Sequence, residues 1–189
     1  MVVEVAATTP EGWPDEAHLL SRITDPKVKV VAVSLVQFAN GYMIDLAALS
    51  AATRATDTYL VVDAIQGLGT TPVDVRRTPV DILSSGAQKW LLSPWGSGFT
   101  YVRRELIGQL EPAYVGWTSF EGTDDYSRMT EYSPDFREDA RRFEMITLPY
   151  QDFVGMNVSL GMLLGIGVER IASHIGQLHQ PVIEWAARR

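Results

Sequence analysis

The sequence predicts an α/β domain, a mostly parallel sheet flanked by helices. Three observations carry this prediction. Short β-branched, apolar runs recur along the first half of the chain. They lack strict polar alternation, as strands buried on both faces do. A helical pattern separates the first two runs and dominates the last forty residues, and strand–helix–strand order builds parallel sheets.

The elements follow in order. Val2 to Ala6 reads as a strand and Asp15 to Arg22 as a helix. Val28-Lys29-Val30-Val31-Ala32-Val33-Ser34 is a buried strand. Asn40-Gly41 is a turn signal. Asp45 then caps a helix containing Leu46 and Leu49. Tyr59 to Val62 forms the next strand, ending at Asp63; Val80 to Ser84 and Gly98 to Val102 form two more. Glu111 to Arg141, rich in Pro, Gly, Asp, Ser and aromatics, reads as a long irregular segment, of the kind that is functional or covered by a partner. Its aromatics Tyr114, Trp117, Phe120, Tyr126, Tyr132 and Phe136 either line a cleft or interface or simply pack together. A helix begins near Gln151 with Val154, Val158, Leu160, Leu163 and Leu164 as its apolar face, broken at Gly165 and Gly167. A last helix runs from Val168 toward Arg189, kinked or divided by Pro181. It has no closing cap, so the polypeptide is expected to stop before its fold is complete.

Composition narrows the function. The chain has 189 residues, 46% of them hydrophobic and 21% charged, an ordinary globular balance. With no cysteine, it contains no disulfide framework, cysteine-ligated zinc or thiol nucleophile. A net charge of −7 and scattered basic residues argue against a nucleic-acid partner. The apolar runs are too short for a membrane span, and Met1 to Val5 lack the basic start of a signal peptide. A cytoplasmic protein without a membrane partner is the expectation. The three histidines and the absence of cysteine suggest no metal site.

Parallel sheets bind ligands beyond the carboxyl ends of their strands. Asp63 ends one strand, Gln66 follows in the same loop, and Lys89 follows the next strand after Ser85-Gly86-Ala87-Gln88. A lysine amine can condense with an aldehyde cofactor. A carboxylate can keep a pyridine nitrogen protonated, which makes the ring an electron sink. That is the division of labour pyridoxal phosphate requires. Spacing alone leaves the plainer reading open: a turn aspartate and a solvated lysine. Gly67-Leu68-Gly69 starts like a dinucleotide fingerprint, but Pro72 occupies the third glycine position. Gly96-Ser97-Gly98 reads as a tight turn.

These stretches resemble the class V aminotransferase family of fold type I pyridoxal-phosphate enzymes, which includes cysteine desulfurases and isopenicillin N epimerase-like proteins. The matching residues are Val61-Val62-Asp63-Ala64-Ile65-Gln66, Pro72-Val73-Asp74-Val75, Ser85-Gly86-Ala87-Gln88-Lys89-Trp90-Leu91, Gly96 to Val102 and Arg142-Phe143-Glu144. The resemblance runs from Val28 to the end of the chain. It implies a Schiff-base role for Lys89, which also carries the proton at the substrate α-carbon. It implies that Asp63 partners the pyridinium and Gln66 the ring hydroxyl. Gln88 stands where the family often has a phosphate-contacting His. Gly86 stands where desulfurases have a phosphate-binding Ser, with Ser85 as the substitute one position earlier. Thr147 is similar to a threonine that reaches the phosphate of a neighbouring subunit, although Ile146 replaces the usual Gly. An amino-acid substrate and a homodimer are implied. So is a partial large domain over residues 1–189, lacking the family's N-terminal segment and C-terminal small domain. A truncated or split chain without activity of its own is the alternative.

Overall fold

The computed structural model describes residues 2–128, 130–131 and 133–189. Helix α1 (Glu16–Ile23) precedes strand β1 (Val30–Ser34), helix α2 (Leu46–Arg54) and strand β2 (Tyr59–Asp63). Strands β3 (Ile82–Gly86) and β4 (Gly98–Val102), a short helix α3 (Arg104–Ile107) and the long helices α4 (Tyr150–Ile166) and α5 (Val168–Ala187) follow. The strands form one sheet in the order β1-β2-β3-β4. The first three are parallel and β4 is antiparallel to β3. The mostly parallel α/β expectation holds.

Local chemistry explains the helix starts. Asp15 Oδ1 accepts the His18 N–H at 2.9 Å and Asp45 Oδ1 the Ala48 N–H at 2.9 Å. Each satisfies a donor that the first helical turn cannot satisfy itself. One sheet face carries Val31, Leu60, Val62 and Leu83, buried against Ile23, Ile44, Leu46 and Leu49. Burying each such side chain contributes roughly 1.5–3 kcal/mol. A buried ion pair locks the β3–β4 end: Arg103 Nε donates to Asp81 Oδ1 at 2.8 Å, while Asp81 Oδ2 accepts the Leu60 N–H at 2.7 Å.

Four expectations change. Val2 to Ala6 is not a strand; Val2, Val3 and Val5 stand exposed, with no neighbouring strand among the described residues to pair with. The third strand lies two residues later than its apolar run: its register with β2 begins at Ile82 opposite Val61, although the buried Asp81 already donates its N–H to the Leu60 carbonyl at 3.0 Å. Helix α4 buries Met156 and Leu163, with Phe153 and Leu160 beside them, while Val154, Val158 and Leu164 face outward. Its apolar residues are spread around the helix rather than gathered on one face, so hydropathy alone could not orient it. Helix α5 runs through Pro181 undivided, although proline removes one helical N–H. The break between the two lies at Gly167, whose φ of +93° ends α4 and turns the chain by 75°; Gly165 stays helical. No single helix among the described residues is long and apolar enough to cross a membrane.

The segment after α3 is irregular, with only short 3-10 turns. Buried Arg137 is its anchor. It donates to the Thr118 carbonyl, Thr123 Oγ1 and both oxygens of Asp124 at 2.8–2.9 Å. The aromatics pack in pairs, Phe120 on Phe136 and Trp117 against Tyr126. Tyr132 lies outside the described residues.

Candidate active site

Three loops meet beyond the carboxyl ends of β1, β2 and β3, and glycine backbone holds them together. Gly69 has a φ of +97°, a conformation that side-chain-bearing residues rarely adopt. Its α-carbon presses so closely on the Trp90 carbonyl that a β-carbon would collide with it. At Gly67 a β-carbon would sit 2.6 Å from Leu35 Cδ2. The β2 loop is thus wedged between the β1 loop and the Lys89 loop. The Gly-Leu-Gly stretch that mimics a dinucleotide fingerprint has this packing role.

A second hydrophobic cluster supports the Lys89 loop. Ala87 and Leu91 are buried against Met156 and Leu163 of α4, with Leu68 packed beside them. Ser159 Oγ on α4 donates to the Leu92 carbonyl at 2.8 Å. The loop closes on itself through Leu92 N–H to Lys89 O and Ser93 N–H to Ala87 O, both at 3.0 Å. Leu92 adopts a φ of +55° to complete the turn. The turn at Gly96-Ser97 leads into β4, and Gly98 lies against the Ser85 carbonyl, where a β-carbon would come within 2.7 Å.

Lys89 Nζ lies over the Phe38 ring, 5.5 Å from its centroid. Phe38 follows β1 and Lys89 follows β3, so the lysine reaches toward β1 across the end of β2, the strand that Asp63 closes. Asp63 is exposed, and its Oδ1 accepts the Ile65 N–H at 3.0 Å. Neither Asp63 nor Lys89 has an ion-pair partner among the described residues, and the side-chain amides of Gln66 and Gln88 take no hydrogen bond there. An acid and an amine without ion pairs and two side-chain amides without hydrogen bonds among the described residues thus stand beyond the carboxyl ends of β2 and β3. Such a donor set fits a small anionic pyridine aldehyde.

Other predicted residues are placed less directly. Ser85 is buried and its hydroxyl donates to the adjacent Gly86 carbonyl at 3.0 Å. The Gln88 side chain folds back over Gly86, so that a β-carbon at residue 86 would meet Gln88 Oε1 at 2.5 Å. Gln88 thus occupies space that a serine at residue 86 would use. Thr147 lies apart from the Lys89 loop, exposed, and its Oγ1 accepts from Trp117 Nε1 at 3.2 Å.

Sequence reasoning missed a cleft of about 850 Å³ over the sheet face opposite the main core. Asp63 and the backbone at Ser85 reach it; Lys89, Gln66 and Gln88 do not line it. Its floor includes Ser84 and Thr100, in register with Asp63, their hydroxyls 3.0 Å apart. Its wall includes Arg141, Phe143 and Glu144. Burial pushes the Glu144 carboxyl up, and Arg141 partly opposes this. The β3–β4 register places Ser84 and Thr100 together, and no linear motif encodes that register. Tyr114, Trp117, Phe120, Tyr126 and Phe136 of the irregular segment are not part of the cleft lining.

Three comparisons bear on identity. The family model described as aminotransferase class-V matches residues 1–185. An uncharacterised aminotransferase of Bacillus subtilis, YcbU, is 30% identical over 169 residues, which is 89% of this chain and 43% of that protein. The apo cysteine desulfurase of Thermococcus onnurineus superposes with a TM-score of 0.80 at 27% identity, covering 96% of this chain and 43% of that one. A mutant of C-DES with glycine covalently linked to its PLP cofactor superposes with a TM-score of 0.75 at 27% identity, covering 86% and 42%. The chain thus spans less than half the length of these relatives.

Proposed function

The chain belongs to the aminotransferase class-V family, and from that premise we propose that it carries the cofactor site of a pyridoxal-phosphate-dependent enzyme acting on an amino acid. One observation supports this most. The Lys89 amine reaches across the end of the strand that Asp63 closes, and neither has an ion-pair partner among the described residues.

Bound there, the cofactor supplies an aldehyde for amine capture and a protonated ring that stabilises negative charge at the substrate α-carbon. Lys89 would supply the amine that holds the cofactor and would carry the proton at the substrate α-carbon. Asp63 keeps the ring nitrogen protonated, because a neighbouring carboxylate favours the cation. Gln66 donates to the ring hydroxyl. Gln88 and Ser85 contribute to phosphate binding. Thr147 serves the phosphate of a second copy in a homodimer. Transaminase, epimerase and lyase outcomes share these steps. With no cysteine, the chain brings no thiol nucleophile of its own for desulfuration. A cytoplasmic location belongs to the same proposal and is tested by fractionation.

The test is absorbance of the purified chain with pyridoxal phosphate, then borohydride reduction and peptide mapping. Reduction trapped at Lys89, and lost in Lys89→Ala, is the expected result. Label spread equally over Lys27, Lys29 and Lys89 would refute it.

A second reading is a chain without turnover of its own. The open cleft over one sheet face favours it, because parallel sheets are normally covered on both faces. Cofactor capture without transformation of any amino acid is the outcome it expects.

A further inference from the structure

Phe38 is 85% exposed, although aromatic side chains carry large apolar area. It is not on a loose loop. The turn that carries it is bridged at its base by Val36 and Met43. Gln37 N–H donates to the Tyr42 carbonyl at 2.8 Å and Gly41 N–H to the Gln37 carbonyl at 2.9 Å. Asn40 ties the turn to Gly12 through a 3.0 Å bond from Nδ2. Tyr42 stacks on Trp13 and donates its hydroxyl to Glu16 at 2.8 Å. A braced turn therefore presents a bare ring to solvent, and Lys89 Nζ lies over that ring.

The other two lysines make the placement informative. Lys27 and Lys29 precede β1, at the opposite end of that strand from Phe38, and Lys29 is paired with Asp57 at 2.9 Å. Lys89 has no carboxylate partner among the described residues. An ammonium within about 6 Å of an aromatic centroid is held by the negative face of the ring.

We propose that Phe38 is a positioning residue for Lys89. Its ring face holds the ammonium toward the end of β1, without a carboxylate contact that would tie the amine up as an ion pair. An apolar side chain of similar size cannot do this, because the attraction comes from the ring quadrupole rather than from buried area. The importance of the contact rests on Lys89 being the cofactor lysine; the contact itself does not.

Competitive acetylation tests it without cofactor. The chain is treated at neutral pH with a trace of acetic anhydride, whose carbonyl only uncharged amines attack, with loss of acetate. Acetylation at Lys89 is read by mass spectrometry, with Lys27 and Lys29 as internal references. Phe38→Leu is expected to raise acetylation of Lys89 about two- to fivefold, the range an exposed cation–π contact supports. Phe38→Tyr and Phe38→Trp are expected to restore wild-type protection. Both references should stay unchanged in all three variants. A Lys89 rate in Phe38→Leu equal to wild type overturns the proposal. An equal rise at all three lysines also overturns it, since that reports loosening of the chain. Capture of pyridoxal phosphate by the wild type is measured separately. Its failure would strike the cofactor reading and leave the acetylation result standing.

Discussion

Replacing Gly69 by alanine probes the wedge that joins the site loops. Two costs arise. The φ of +97° disfavours any β-carbon, at about 1–2 kcal/mol. The new methyl would also collide with the Trp90 carbonyl, which is backbone and cannot rotate away. Overpacking of this kind adds about 1–3 kcal/mol. Gly12 is the internal control. Its φ is +82°, yet nothing lies within 4 Å of where a β-carbon would stand. Gly12→Ala should therefore show only the backbone cost. Both variants share the small gain from a stiffer unfolded chain, so the difference between them isolates the clash. At about 2–4 °C per kcal/mol for a chain of this size, Gly69→Ala should melt about 2–12 °C below Gly12→Ala. Thermal melts followed by circular dichroism measure this. Because Trp90 adjoins Lys89, Gly69→Ala should also disturb the acetylation of Lys89, and Gly12→Ala should not. Equal melting temperatures for the two variants would refute the wedge.

Further expectations follow from charged groups. Asp81→Ala leaves Arg103 and the Leu60 N–H without their shared acceptor. Because Arg103 keeps 23% of its side-chain exposure, the loss should be near the low end for a broken buried pair, about 3 kcal/mol by urea titration. Arg137→Ala removes the donors that hold Thr118, Thr123 and Asp124, and hydrogen exchange should rise across residues 117–128 first. Hydrogen bonds from Arg137 hold the Asp124 carboxyl below its usual range. That support is complete above the unfolded carboxylate pKa and fades as pH falls through the lower folded value, so acid should loosen the same residues before the sheet. Glu144 has the opposite sign. Burial raises its folded pKa, so its charge disfavours the fold at neutral pH, and the penalty lifts as pH falls through the raised value. Glu144→Gln should raise the melting temperature at pH 7 and lose that advantage in acid.

Much of the fold was legible in the sequence because its signals are local. Asp15 and Asp45 cap helices through bonds three residues away, and the β-branched runs at Val30 and Tyr59 need only their own periodicity. The proposed Asp63 and Lys89 stand out in the sequence for a similar reason: Asp63 ends one strand and Lys89 lies in the loop after the next. What escaped depends on partners distant in sequence. Val2, Val3 and Val5 have strand-forming side chains but no strand beside them among the described residues. The apolar residues of helix α4 are spread around it, so packing against Ala87 and Leu91 of the Lys89 loop, with Leu68 and Ile171 beside them, accompanies the inward turn of Met156 and Leu163. Ser84 and Thr100 meet through the β3–β4 register.

The loop glycines show how both kinds of signal combine at the site. Gly67 and Gly69 look like punctuation in the sequence, or like the start of a phosphate loop. In the fold they remove side-chain volume where three strand ends must approach one another. That approach is what lets a lysine after β3 reach an aromatic ring after β1. Residue type singles out Lys89 and Asp63 as the proposed amine and acid; backbone proximity, invisible in a linear reading, brings the loops that carry them together. A substitution that restores side-chain volume at Gly69 should therefore disturb Lys89 while leaving both reactive residues in place, which separates the chemistry of the site from its assembly.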